Sequence, residues 1–208
     1  MEYMRSLLDS RVLPRRPRNF LYPYPMQLIR PSRTVRSLVG INLGLFLGGV
    51  SAGLILGVPD QGMSVSDPSY YSVESLDFFS ILWNNAQVTV LLFLTSLTLL
   101  WIIGAFLLVL NGYVLGTTIL AARATGCSWL LIAMTTLPHG AIEVFAFALS
   151  SAVGVVLPLQ IINYLRGIND RLISRESNVQ TATYLALSFI LIVVAAWIEA
   201  TVSLSVAP

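Results

Sequence analysis

A few polar residues interrupt the long apolar stretches of this 208-residue chain, and they are the ones that could do chemistry. Pro138, His139, Gly140 and Glu143 all fall within the apolar stretch 129–157. His139 and Glu143 are four positions apart, so their side chains share one face of a helix. Pro138 and Gly140 predict a break in that helix, because proline removes one backbone hydrogen bond and crowds the preceding turn.

Two asparagines, Asn85 and Asn111, lie in the neighbouring apolar stretches. Asn111 and His139 are each 10 or 11 residues from the polar turn at 122–129. At about 1.5 Å per residue, both would lie roughly 16 Å from that turn. We therefore expect Asn111, His139 and Glu143 to converge, and Asn85 to join the same buried polar cluster.

This predicted cluster has two interpretations. In the structural one, its members satisfy one another's hydrogen bonds and lock broken helices together. In the functional one, the cluster is an ion or proton site, because a buried carboxylate beside an imidazole changes its protonation readily. Glu199, near the end of the last apolar stretch, is expected to be an interfacial or helix-pairing residue rather than a member.

The residue types and motifs in the sequence give little support for enzymatic or metal chemistry. His139 is the only histidine, which excludes the His-Glu-x-x-His zinc motif, and Cys127 is the only cysteine. No phosphate-binding Walker motif occurs, and no aspartate lies in an apolar stretch. We therefore expect a protein that is not an enzyme and that has no cofactor and no metal ligands.

The composition indicates a membrane protein. The chain is 56% hydrophobic and 11% charged, with a mean hydropathy of +0.78, whereas about a quarter of a soluble domain is charged. Apolar stretches of roughly 20 residues cross a bilayer as helices, because hydrocarbon offers backbone groups no other hydrogen-bond partner. The predicted fold is an all-α, polytopic transmembrane helix bundle.

About five spans are predicted in this bundle. They cover 37–57, two halves of 86–122 divided near Gly104, 129–157 with its break at Pro138–Gly140, and 181–202. The stretch 86–122 must be divided, because as a single helix it would reach about 55 Å across a core of about 30 Å.

Charge predicts the orientation and a separate N-terminal arm. All 12 basic residues are arginine, and eight precede residue 37. We therefore assign 1–36 to a cytoplasmic Arg/Pro-rich arm and 37–208 to the bundle, with the C-terminus outside the cell membrane. Arg15, Arg16 and Arg18 could instead meet anionic lipids or a partner's acidic patch. Nucleic acid is not an expected partner.

The first span contains two interleaved glycine ladders. Glycine at every fourth residue makes a groove into which another helix can pack closely. The partner could be a helix of the same bundle or a second copy of the chain. The two ladders are Gly40, Gly44, Gly48 and Gly49, Gly53, Gly57.

The stretch 84–154 resembles the stage II sporulation protein M family of membrane proteins. Its specific part is the string Leu137-Pro138-His139-Gly140 with Glu143 three residues beyond. The other matching features, in the same order, are Asn85, the pair Asn111–Gly112 with Gly116 after it, and the small residues 150–154.

The resemblance implies a compact membrane bundle of five or six helices, with the family-like core at 84–157. In spore formers the namesake is a membrane anchor in a complex that brings peptidoglycan-degrading enzymes to a septum, and it is not itself the hydrolase.

These observations lead to two hypotheses for the function. The first is a non-enzymatic membrane component or scaffold of a cell-envelope assembly, which forms homo-oligomers or binds envelope partners and contacts membrane lipids. The alternative is a small transporter, channel or permease subunit with a polar site at the membrane midplane, formed by Asn111, His139 and Glu143.

Overall fold

A computed structural model describes residues 32–57, 77–98, 101–168 and 170–203. The predicted arm surface at Arg15, Arg16 and Arg18 lies outside the described residues. Within them the structure is almost entirely helical, with short turns between helices, and contains no strand. The elements are α1 (Arg33–Leu56), α2 (Phe78–Leu97), α3 (Trp101–Ala124), α4 (Trp129–Leu165), α5 (Arg175–Ile198) and a π-helical turn, Glu199–Ser203.

All five helices are long and apolar enough to cross a membrane, which confirms the predicted five-span bundle. Large apolar side chains cover their outward faces: Ile55 is 78% exposed, Phe79 73% and Trp83 69%. Such a surface would be an aggregation hazard in water, but it matches the hydrocarbon of a bilayer. The protein is therefore a multi-pass membrane protein.

Helix α4 is the centre of the bundle. It contacts each of the other four helices. In its most apolar 18-residue window, 56% of residues are buried, against 22–33% in the other four spans. Residues of α4 are therefore buried inside the bundle more often than those of the other four helices.

Side-chain caps determine where four of the helices begin. Ser32, Asp77, Ser128 and Ser174 each accept a hydrogen bond, 2.7–3.2 Å long, from the backbone N–H three residues later. Such a cap stabilises a helix by about 1 kcal/mol. The predicted starts of α1, α2 and α5 were therefore four to eight residues too late, because each helix extends back to its capping residue.

The boundary between the second and third spans differs from the prediction. Helix α2 ends at Leu97 and α3 begins at Trp101, so the break precedes Gly104. Gly104 instead lies inside α3, where a Cβ would be 3.0 Å from Thr95 Oγ1 and 3.1 Å from Ser96 Oγ of α2. This glycine permits close helix approach, which is why it was a misleading sign of a turn.

The predicted break in the fourth span is wrong as well. Helix α4 continues through Pro138 and Pro158 and ends at Leu165, eight residues beyond the predicted end. Each proline removes one backbone donor, but neighbouring helices in a membrane bundle help to accommodate the freed carbonyl. His139 and Glu143 consequently lie on one uninterrupted helix.

Helices α1 and α3 pack side by side in parallel through two pairs of glycines. A Cβ built on Gly49 or Gly53 would lie 2.1 or 2.3 Å from a carbonyl oxygen of α3. A Cβ on Gly112 or Gly116 would lie 2.2 or 2.3 Å from a carbonyl oxygen of α1. Only glycine permits this backbone-to-backbone contact, which is the main means of association for helices in lipid.

The two glycine ladders of α1 therefore have different surroundings. The ladder that includes Gly49 and Gly53 packs within the bundle, and Gly57 lies beside Thr117 Cγ2 of α3. The other ladder is exposed, and a Cβ built on any of its glycines would have no heavy atom of another element within 4 Å. Its members are Gly40, Gly44 and Gly48.

Helices α2 and α4 also run parallel and meet through small polar residues. Ser150 Oγ donates to the carbonyl oxygen of Thr89 at 2.8 Å, and the hydroxyls of Ser96 and Ser151 are 3.0 Å apart. A Cβ on Gly154 would approach α2 to 2.7 Å. These contacts fix the register of α2 along α4, which positions the residues nearer the start of both helices.

One further polar contact joins α1 to the central helix. Asn42 is buried, and its Nδ2 donates to the carbonyl oxygen of Ala148 at 3.0 Å. In an apolar surrounding, an unsatisfied amide would cost several kcal/mol, so this bond ties α1 to α4 at one height.

Candidate functional site

A polar cavity of about 220 Å³ lies where α2, α4 and the π-helical turn meet. It is near the end of the bundle at which α2 begins and α5 ends. The lining consists of one apolar and six polar residues. They are Ser80, Ile81, Asn84, Asn85, His139, Glu143 and Glu199.

Three ionisable side chains converge in this cavity. One nitrogen of His139, one carboxylate oxygen of Glu143 and one of Glu199 all lie within 4.8 Å of one another. His139 and Glu143 are presented by adjacent turns of α4, while Glu199 comes from the end of α5. All three are half-buried. This group is defined here as the His-Glu-Glu cluster.

Asn85 of α2 supports the cluster from the side. Its Nδ2 donates a hydrogen bond to Oε1 of Glu143. This bond follows from the parallel packing of α2 and α4, in which Asn85 and Glu143 occupy the same height. An amide donor of this kind holds the carboxylate in one orientation.

The backbone changes its helical form at Glu199. Helix α5 ends at Ile198, and Glu199 begins a five-residue π-helical turn. A π-helical turn is wider than an α-helical one, so it redirects the side chains that it carries, and such turns occur frequently at functional sites.

The structure does not bring Asn111 into the cluster. Its Nδ2 donates to the carbonyl oxygen of Leu107, one turn earlier in α3, at 2.8 Å. The estimate of depth did not fix the direction in which Asn111 points. Its neighbour Gly112 faces α1, and Asn111 is turned by about 100° from that contact.

Glu199 belongs to the cluster, contrary to its predicted role as an interfacial or helix-pairing residue. A signal for this was present in the sequence. Helices α4 and α5 are consecutive and antiparallel, and His139 and Glu199 are each 30 positions from residue 169 in their connection. Residues equally far from the centre of a hairpin lie at the same height, so counting would have paired them.

Charge restricts what the His-Glu-Glu cluster can hold. Two carboxylates this close repel each other, and a low-dielectric surrounding strengthens the repulsion. A shared proton, a protonated His139 or a bound cation would offset this repulsion. The arrangement is suited to holding a cation or a proton.

One string in α1 has the spacing of a hydrolase nucleophile motif. Residues 49–53 read Gly-Val-Ser-Ala-Gly, which fits Gly-x-Ser-x-Gly. That motif requires a sharp strand-to-helix turn. Here the string lies inside α1, and Ser51 Oγ donates to the carbonyl oxygen of Leu47 at 3.0 Å. This serine is therefore not presented as a nucleophile.

The contact between Asn85 and Glu143 can be tested by a double-mutant cycle. We expect Asn85→Ala and Glu143→Gln to be coupled by about 0.5–3 kcal/mol in the free energy of unfolding, because the two side chains touch. Denaturant titration of the purified protein in mild detergent measures this coupling.

Asn111→Ala serves as the matched control for that cycle. Asn111 bonds only within its own helix in the described structure, so its coupling to Glu143→Gln should be below about 0.5 kcal/mol. Stronger coupling at Asn111 than at Asn85 would contradict the geometry of the cluster.

Comparison with known proteins covers most of the chain. Residues 40–204 match the sequence pattern of the family described as stage II sporulation protein M. An uncharacterized protein of Methanocaldococcus jannaschii is 29% identical over 166 residues, which are 79% of this chain and 90% of that protein. No solved structure matches. Since the family match includes most of α1, all of α2 to α5 and the whole His-Glu-Glu cluster, the chain belongs to the stage II sporulation protein M family.

Proposed function

We propose that this protein is a non-enzymatic component of a cell-membrane assembly and that its copies associate through α1. The observation that supports the proposal is the open glycine ladder of Gly40, Gly44 and Gly48. These glycines leave an exposed groove on a helix whose other glycine ladder is already packed.

The packed ladder illustrates the contact that the open one could make. At Gly49 and Gly53, α1 approaches a parallel helix until backbone meets backbone. A second copy of α1 could lie on Gly44 and Gly48 in the same way, since parallel helix pairs in membranes commonly use glycines four residues apart. The large apolar residues beside the groove, such as Ile41 at 57% and Leu47 at 61% exposure, would flank this contact.

The double variant Gly44→Leu/Gly48→Leu tests this interface. A Cβ at either position would meet no other element of the bundle. We therefore expect the two leucines to fill the groove and to weaken self-association by about tenfold or more, equivalent to about 1.4 kcal/mol. The measurement is Förster transfer between labelled copies diluted in liposomes.

Gly53→Leu provides the contrasting variant on the same helix. A side chain there would collide with the Tyr113 carbonyl oxygen, 2.3 Å from the Cβ position, so it should lower the thermal stability of the monomer. If Gly44→Leu/Gly48→Leu self-associates like the wild type, the open ladder is not an interface.

The proposed assembly also includes envelope proteins and membrane lipids as partners, and it excludes nucleic acid. Membership in the family supports a role as a membrane component, because the function of its namesake is that of an anchor. In this proposal the arginine-rich arm contributes the surface for anionic lipids or acidic partners.

We further propose that the N-terminus is cytoplasmic and that the C-terminus is exterior. Arg166, Arg171 and Arg175 lie in or beside the connection between α4 and α5, and arginine favours the cytoplasmic side. Arg123 would then be exterior. Its Nη1 donates to the carbonyl oxygen of Cys127 at 2.7 Å, and its guanidinium lies 5.3 Å from the Trp129 ring centroid, which gives it a local structural role.

The only cysteine of the chain tests this orientation. Cys127 lies between α3 and α4, on the proposed exterior side, and is partly exposed. We expect a membrane-impermeant maleimide to label it in intact cells. Arg166→Cys in a Cys127→Ala background should react only after permeabilisation. The reverse pattern for the two cysteines would invert the proposed topology.

A second candidate function, cation or proton transport, is favoured by the His-Glu-Glu cluster. Ionisable groups within membrane spans are rare and usually functional. If the protein is a transporter, Glu143→Gln should reduce flux into liposomes by at least about tenfold, as reported by entrapped pH-sensitive and Zn²⁺-sensitive dyes. Glu176→Gln, at the exposed start of α5, is the matched control. If the Glu143→Gln variant shows the same flux as the wild type, transport through this site is rejected.

A further inference from the structure

We infer that His139, Glu143 and Glu199 form a binding site for one divalent first-row transition-metal ion. The inference goes beyond the proposed assembly role. It also specifies a ligand for the candidate transport site, although it holds whether or not the ion crosses the membrane.

The geometry of the three side chains is close to that of a metal site. Their ligand atoms lie within 4.8 Å of one another. Ligands about 2.1 Å from a tetrahedral ion lie roughly 3.4 Å apart, so closure requires movements of about 1 Å, which side-chain rotation can provide. His139 and Glu143 are on adjacent turns of one helix, an arrangement that presents two ligands to the same point.

The charge of the cluster matches a divalent ion. Two carboxylates and a neutral imidazole carry two negative charges, so one divalent ion makes the site neutral. Neutralising the cluster lowers the cost of holding charged groups between membrane-spanning helices. A monovalent cation would leave one charge uncompensated.

The surroundings supply support for the ligands and space for water. Asn85 donates to Glu143 and so fixes the orientation of that carboxylate, as outer-shell partners do in metal sites. The cavity of about 220 Å³ has room for water ligands beside the ion, since a water molecule occupies about 30 Å³. Its remaining polar lining includes Asn84 and Ser80.

The π-helical turn provides one of the three proposed ligands. It begins at Glu199, the residue that completes the cluster. Such turns are rare, and they occur frequently at functional sites.

The ligand types select the class of metal. Mg²⁺ and Ca²⁺ prefer sites made of oxygen ligands only. An imidazole nitrogen with two carboxylates suits Zn²⁺, Mn²⁺ or Fe²⁺ better. Zn²⁺ is the best probe because it has no redox chemistry.

The test uses the full-length protein in mild detergent, purified with a histidine-free tag and stripped of metal. Competition with a chromophoric zinc indicator should show one tightly bound Zn²⁺ per chain. Glu143→Gln, Glu199→Gln and His139→Asn should each weaken binding by at least about 100-fold, because each removes a ligand. Asn85→Ala should weaken it by about 10–100-fold.

The controls separate this site from adventitious binding and from the assembly proposal. Glu176→Gln and Asn111→Ala should bind zinc like the wild type. Gly44→Leu/Gly48→Leu should also retain zinc even if it loses self-association. Wild-type affinity in the double variant Glu143→Gln/Glu199→Gln, or no zinc binding by the wild type at 100-micromolar concentration, would overturn the inference.

A measurement on the wild type alone keeps the inference testable if the variants do not fold. Zinc-edge X-ray absorption of the loaded protein should show imidazole and carboxylate ligands. Since His139 is the only histidine, any imidazole signal must come from it. A spectrum without imidazole scattering, or with the sulfur of Cys127 as a ligand, would refute the site.

Discussion

Close approach of helix backbones is the interaction on which the rest of this structure depends. Lipid is as apolar as leucine, so the hydrophobic effect does not drive these helices together, and packing and hydrogen bonds must do so. Two parallel pairs achieve this with small residues. Helices α1 and α3 use four glycines, while α2 and α4 use hydroxyls and Gly154. With α5 folded back on it, α4 becomes the one helix that contacts all the others.

The polar site is a consequence of that packing. The bond from Ser150 to Thr89 and the fit of Gly154 against α2 fix the register between α2 and α4. In this register Asn85 lies beside Glu143, about one helical turn before Thr89. The hairpin of α4 and α5 adds Glu199 from the opposite direction. The small-residue contacts farther along the helices therefore position the ionisable groups at one end of the bundle.

Much of this fold could be predicted from the sequence, but the directions of its side chains could not. Hydropathy identifies five spans because each must satisfy its backbone internally. It locates boundaries poorly where no turn residue marks them, as between α2 and α3. The four-residue spacing put His139 and Glu143 on one helix face, and both line the cavity. Depth along a helix can also be counted. It could not tell that Asn111 turns away, because rotation about a helix axis is set by packing partners. Predicting that Glu199 joins the cluster would have required the register of the hairpin formed by α4 and α5 as well.

Of the two interpretations of the cluster, a purely structural hydrogen-bond lock does not account for the second carboxylate. Ionised carboxylates are acceptors only, and each has two oxygens that accept hydrogen bonds. Asn85 donates to one oxygen of Glu143, but a second carboxylate, Glu199, faces the first across the cavity. A hydrogen bond from Asn85 to Glu143 alone would suffice to lock α2 and α4 together. The second carboxylate adds a repulsion that hydrogen bonds from asparagine do not remove, whereas a shared proton or a divalent cation does. The presence of Glu199 is therefore better explained by a site that takes up positive charge than by one that only holds helices together.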